Sequence, residues 1–216
     1  SMSAAGQTLR LSLQPAFVLH QRPYRDSSVL LEVFNPDFGR FGLIGRGVKG
    51  RKQNRQALLQ PFTPLLMSWQ TRGELGTLTD VELEGVAMQL RGPVLLSGFY
   101  LNELLLHLLH RDDPHPDLFA HYRYTLEQLN LVSDNSAAVP ELQRCLRYFE
   151  KVLLQEVGYG MVLDVDVGSG EAVAPDVYYR YVIGEGPVAE GTSAKANVFS
   201  GASLLAYAAE RLGGPE

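Results

Sequence analysis

The sequence contains a single cysteine, Cys145, among 216 residues. This excludes an internal disulfide and any zinc site built from several thiolates. No apolar run approaches the ~20 residues a membrane-crossing helix needs. The opening SMSAAGQTLR has neither the basic start nor the apolar stretch of a signal peptide. The expected location is cytoplasmic, with no membrane partner. Ser1 ahead of Met2 reads as a tag remnant, so the first few residues carry no fold argument. Catalytic signatures are missing too. There is no GxGxxG or GxxxxGK(S/T) phosphate loop, no GxSxG elbow and no cysteine paired with a plausible histidine base. An enzyme is therefore the weaker class, and no cofactor is expected.

Acidic residues are absent from one long stretch. From Phe38 to Gly73 there is none. The net charge of −5 averages over this asymmetry. Residues 1–73 carry ten Lys and Arg against three acids, net +7, which leaves −12 for the remainder. A positive field uncancelled by nearby acids is the electrostatic footprint of a polyanion partner.

Length and apolar content allow two small packed domains. Up to about residue 87 the chain reads as short strands bounded by turn chemistry: AFVLH from Ala16, SSVLLEVF from Ser27, RFGLIGR from Arg40, then PLLMSW and ELGTLTDVEL. Asp37-Phe38-Gly39 suits a tight hairpin turn, because Gly39 can adopt a positive φ. Five strands and one long basic connection fit a small, partly open barrel such as an OB-fold. From residue 88 to 216 the period becomes helical. Pro93 opens an apolar helix, VLLSGFYLNELLLHLLH. A second helix is predicted from Asp117 to about Asn130. A third opens at Pro140, with Leu142, Cys145, Leu146, Phe149, Val152 and Leu153 on one face and Gly158 as its stop. Irregular loops with a few short strands are expected over about 161–197, and a last helix after Ser200 as N-cap. The fold class is thus α+β, an N-terminal OB-fold barrel followed by an α-helical C-terminal domain.

The segment GRGVKGRKQNRQ places Arg46, Lys49, Arg51, Lys52 and Arg55 on a Gly-containing connection able to follow a phosphate backbone. With Arg22, Arg25 and Arg40 these are the candidate DNA-binding residues; a merely solvated basic loop is the bland alternative. Among the aromatic residues, alternation sends Phe34 inside, and Tyr24, Phe38 and Phe41 near the turns are candidates for base stacking. On the third helix Arg144, Arg147 and Lys151 form a cationic stripe beside the apolar face. The stripe could receive an acidic peptide with an apolar end, entering a groove lined by residues such as Phe149. Spacing alone leaves this open against an ordinary helix pairing its own Glu150. His107, His110, His115 and His121 cluster with Asp112, Asp113 and Asp117, but Pro114 and Pro116 mark a helix connection and no HExxH-like ligand pattern is present. No metal site is expected. Asp164 and Asp166, in a Gly-rich loop, are expected to face water.

The run AFVLHQRPYRDSS, FNPDFGR, LIGRGVKG, ALLQPFTPLLMSW and RGELGTL resembles the N-terminal domain of the RecO recombination-mediator family. The resemblance continues in SGFYLNELLLHLL and LRYFEKVLLQEVGYG, covering about residues 15–185. It implies binding to single- and double-stranded DNA and annealing of complementary strands. It also implies cooperation with RecR in loading RecA onto DNA coated by the single-stranded-DNA-binding protein SSB, and so a nucleoid-associated location. The family's Arg-x-Phe-Glu element falls on Arg147-Tyr148-Phe149-Glu150, which assigns Arg147, with Arg144 and Lys151 as neighbours, to the C-terminal tail of SSB. Two departures follow. No cysteine succeeds Gly158-Tyr159-Gly160, where many relatives carry a four-cysteine zinc module, so a zinc-free member is expected. Relatives usually end in a longer basic helix, whereas this sequence stops at AAERLGGPE, as expected of a shortened chain. An OB-fold adaptor that contacts a protein partner and not DNA is the reading from a different class, and metal-dependent hydrolysis through the histidines is a third.

Overall fold

A computed structural model describes residues 8–47, 55–133, 138–182, 184–191 and 198–212. Five strands come first: β1 (Leu9–Tyr24), β2 (Ser28–Asn35), β3 (Gly39–Gly45), β4 (Leu65–Thr71) and β5 (Gly76–Leu83), with a short helix α1 (Arg55–Leu58) between β3 and β4. Helices α2 (Pro93–Leu108), α3 (Pro116–Val132) and α4 (Val139–Val157) follow, then β6 (Tyr178–Val182), β7 (Gly186–Gly191), β8 (Val198–Ser200) and α5 (Gly201–Leu212). The chain divides into two compact units. One holds the residues up to Gln89 together with His110–Leu126; the other holds Leu90–Leu109 and the residues from Glu127 onward.

In the first unit the strands close a barrel in the order β1-β2-β3-β5-β4. The barrel is an OB-fold, and it is closed where the sequence suggested partial opening. Closure comes from a short parallel pairing of β3 with β5, Leu43↔Gly76 and Ile44↔Thr77. Strand β1 is much longer than the AFVLH segment. Its first half pairs with β4 and its second with β2, and a bulge at Leu13, φ 49°, bends the strand between them. The β2–β3 hairpin turns where expected. Gly39 has φ 72°, and the Asn35 side chain accepts hydrogen bonds from the N–H groups of Asp37 and Phe38 at 2.8 and 2.9 Å. Inward side chains such as Val18, Val33, Leu43, Met67 and Trp69 form the core. Segment 110–126 belongs with this barrel because Phe119 and Tyr122 pack against the outward rings of Phe17 and Phe34, with centroids 5.2 to 6.1 Å apart. Those two strand residues are therefore as buried as the barrel core.

In the second unit the predicted helices appear at Pro93, Pro140 and Ser200. The Ser200 hydroxyl accepts from the Ser203 N–H at 3.1 Å, an N-cap. Gly158 ends α4, but in right-handed conformation, φ −78°. Glycine is needed there for space, since a Cβ would lie 2.5 Å from Cε1 of Tyr207 on α5. Strands β7-β6-β8 form a small antiparallel sheet. Preceding it, the Asp166 carboxylate does not simply face water. It accepts hydrogen bonds from the N–H groups of Gly168, Ser169 and Ala189 and organises the loop.

Candidate nucleic-acid interface

Side chains alternate across a strand, so the residues flanking each core position point outward from the barrel. One outward row can be traced through the register from strand to strand: Arg22 opposite Leu30, Leu30 opposite Ile44, Ile44 opposite Thr77, Thr77 opposite Gln70, and Gln70 opposite Arg10. The row begins and ends on β1 and contains no acid. Arg46 follows directly on the end of β3, and Arg72 on the end of β4. Arg10, Arg46 and Arg72 line one groove of about 530 Å³ with Thr8, Gln70 and Thr77. All three arginines are exposed, and among the described residues none is in an ion pair. Free guanidinium groups gathered at one groove of the barrel, with hydroxyl and amide donors between them, are suited to successive phosphates of a strand.

The eight candidate DNA-binding residues are not equivalent. Arg22 lies in the row, near the C-terminal end of β1, whereas Arg10 lies near its start. Arg25 is exposed in the β1–β2 turn with its guanidinium 5.0 Å from the Tyr24 ring. Arg40 is committed elsewhere: its side chain is 14 % exposed and bonds Glu32 at 3.0 Å, while Arg111 pairs with the other Glu32 oxygen. Arg55 lies 3.8 Å from Asp80. Arg46 sits in the groove, and Lys49, Arg51 and Lys52 lie outside the described residues. The sequence reading missed Arg10 and Arg72 as site residues. Their signals were the LRLSL alternation at the start of β1 and the acid-free span that ends at Gly73, but only the register brings them beside Arg46.

The stacking candidates Phe38 and Phe41 differ in exposure. Phe41 is buried 4.9 Å from Trp69, and Phe38, half-buried, meets Trp69 edge-on at 5.8 Å. Among the described residues no group of three or more His, Cys, Asp or Glu side chains is placed to hold a metal ion. His107 contacts the Tyr181 carbonyl at 3.2 Å, His110 lies beyond the end of α2, and His115 is buried 3.2 Å from Asp113.

On α4 the cationic stripe is paired within its own unit. Arg144 bonds Glu141, Lys151 bonds Glu210 at 3.1 Å, and Arg147 bonds Glu150 at 2.9 Å. The first two pairs are exposed and weak. The third is different, because Glu150 is 0 % exposed and is further held by the Tyr100 and Ser200 hydroxyls. Burial pushes the Glu150 carboxyl up and Arg147 pulls it back. Burial and the adjacent Glu150 charge push the Tyr100 hydroxyl well up. Burial works against the charge on Arg147, but Glu150 and the Tyr100 and Tyr178 hydroxyls outweigh it and raise its pKa. The Arg147 guanidinium also lies 5.6 Å from the Tyr178 ring and keeps 27 % side-chain exposure. Phe149, expected to line an open groove, is instead 0 % exposed in the helical core, because its position on α4 faces inward with Leu146 and Leu153. The aromatic ring exposed beside Arg147 is Tyr148.

Comparison with known proteins agrees with both halves of this architecture. The family model described as Recombination protein O N terminal matches residues 9–86, and that described as Recombination protein O C terminal matches residues 92–213. Similar proteins include the DNA repair protein RecO of Coxiella burnetii, strain CbuG_Q212, 44 % identical over 203 residues, or 94 % of this chain and 84 % of that one. The DNA repair protein RecO of Methylococcus capsulatus is 45 % identical over 201 residues, covering 93 % and 79 %. That of Alkalilimnicola ehrlichii is 46 % identical over 211 residues, covering 95 % and 80 %. With an OB-fold barrel, a helical second unit and matches that span nearly all of the sequence, the chain belongs to the RecO family of recombinational DNA repair proteins.

Proposed function

We propose that the protein is a recombination mediator that works without a covalent step. Its barrel binds single- and double-stranded DNA by the phosphates and holds complementary strands close enough to anneal. The observation that carries this reading is the acid-free outward row with three unpaired arginines in one groove. Guanidinium groups screen the repulsion between two backbones, and bases stay available for pairing because the contacts are made to the phosphates and leave the base edges untouched. The second unit docks on the acidic C-terminal tail of SSB through Arg147, with Arg144 and Lys151 beside it. Supporting this, the Arg147 side chain keeps 27 % exposure although its carboxylate partner Glu150 is fully buried. With RecR, the protein then helps load RecA in the cytoplasm, at the nucleoid.

The test is annealing of SSB-coated complementary strands. Wild-type protein is expected to accelerate it, and the triple variant Arg10→Ala, Arg46→Ala, Arg72→Ala to lose most of the acceleration. Annealing that persists unchanged in the variant refutes the reading, and a protein that binds a partner but no DNA would be the adaptor. For the tail, Arg147→Ala is a poor probe because it strands the buried Glu150 carboxylate. Arg147→Lys keeps the charge and removes the bidentate fork, so it should weaken binding of an SSB-tail peptide in fluorescence anisotropy while naked-DNA affinity holds. Equal peptide affinity in the two proteins counts against the assignment.

A further inference from the structure

Beside the arginine groove the barrel carries a second cleft of different chemistry. It measures about 590 Å³ and is lined by Leu9, Phe38, Trp69, Glu74, Arg111 and Asp112, among others. The two hollows meet along the β4–β5 hairpin. Thr71 and Gly76 line the cleft, while their chain neighbours Arg72 and Leu75 line the groove; on β1 the same holds for Leu9 and for Thr8 and Arg10. The groove has three cations and no acid, as a phosphate track requires. The cleft has two carboxylates, Glu74 and Asp112, one cation, Arg111, already paired with Glu32, and an apolar aromatic wall.

That division matches the two parts of a nucleotide. A base is flat, apolar on its faces and carries N–H donors on its edge, so it suits aromatic and aliphatic walls with carboxylate acceptors among them. The cleft volume is ample for one base. Phe38, half-buried, and Leu9, half-exposed, are the surfaces a base can cover. Trp69 backs Phe38 and is itself only 2 % exposed, so it reports on the cleft more than it contacts the ligand. Arg111, also in the lining, is held by Glu32.

We propose that this cleft takes one unpaired nucleobase from a strand whose phosphates lie on the arginine row, so that the barrel distinguishes single-stranded DNA from duplex. The proposal rests on the reading that the barrel binds DNA. A base paired within a duplex cannot enter the cleft without leaving its partner, and that is the source of discrimination.

Trp69 is the only tryptophan in the chain, which makes its fluorescence a direct readout. The full chain is titrated with three probes of equal phosphate number: a mixed-sequence single strand, an abasic strand and a duplex. Anisotropy of a labelled strand records binding, and Trp69 emission records the cleft. The single strand is expected to quench or shift Trp69 emission, whereas the abasic strand and the duplex bind without doing so. Binding of all three with the same emission change, or with none, overturns the proposal while leaving DNA binding intact. Failure of any probe to bind overturns the underlying reading instead. Phe38→Ala is expected to lose about fivefold to a hundredfold in single-strand affinity, the worth of one stacked base. Its duplex affinity should remain close to wild type, which also shows that the barrel is folded. An unchanged ratio of single-strand to duplex affinity in that variant counts against the cleft.

Discussion

Replacing Arg10, Arg46 and Arg72 by alanine makes the phosphate-track argument quantitative. Each phosphate contact contributes about 0.9 to the slope of log affinity against log salt for duplex DNA, and about 0.7 for a single strand. Three free arginines in one groove therefore account for a slope of about 2.7 with duplex and about 2 with single strand. Over a fourfold rise in salt, the duplex figure is about a fortyfold loss of affinity that the wild type suffers and the triple variant escapes. Each single variant should recover about a threefold part of it. Arg40 is the internal control: it is as basic as the others but bound to Glu32 and largely covered. Arg40→Ala should leave the slope unchanged and lower stability instead, since Glu32 loses one of its two cations. The assay is fluorescence anisotropy of a labelled oligonucleotide across a salt series, with a thermal melt of each variant. The three exposed arginines should melt within a degree or two of wild type, as surface positions do. The reasoning is refuted if the triple variant keeps the wild-type slope, or if Arg40→Ala flattens it as much as Arg10→Ala does.

Three further outcomes test the packing. Phe119→Ala removes a ring wedged between Phe17 and Phe34, and urea denaturation should show a loss of about 3–5 kcal/mol. Gly158→Ala drives a methyl into Tyr207, so a loss of about 1–3 kcal/mol is expected by the same measurement, with no change in the salt slope of DNA binding. Burial works to raise the Asp166 carboxyl, but backbone hydrogen bonds from Gly168, Ser169 and Ala189 outweigh it and hold the pKa below its usual value. Its contribution is therefore complete above the ordinary carboxylate range and lost as pH falls through the lowered value. Asp166→Asn should melt earlier than wild type at neutral pH and show a smaller further drop in acid, and parallel pH profiles would contradict this.

Local chemistry made much of the fold legible. The β2–β3 hairpin was readable because Asp37-Phe38-Gly39 specifies a reversal by itself, and the helices because Pro93, Pro140 and Ser200 mark their starts whatever surrounds them. The first half of β1 was hidden because Leu9, Leu11 and Leu13 alternate beside residues read as a tag remnant, and because the strand gains its partner only from β4. The assignment of His110–Leu126 to the barrel unit was equally invisible. Phe119 and Tyr122 look like ordinary helix-core residues, and only the folded barrel presents Phe17 and Phe34 to them.

By itself, the sequence determined the α+β order, the family and the sign of the field over the first seventy residues, because composition, period and turn residues are local properties. Tertiary structure alone decided which charges are free. Arg40 reads like Arg10 and Arg46 along the chain, yet the fold places Glu32 against the first and leaves the other two bare. The row from Arg22 to Arg10 exists only once β3 pairs with β5 and the barrel closes, because register between strands distant in sequence is set by packing of the core side chains and by no local rule.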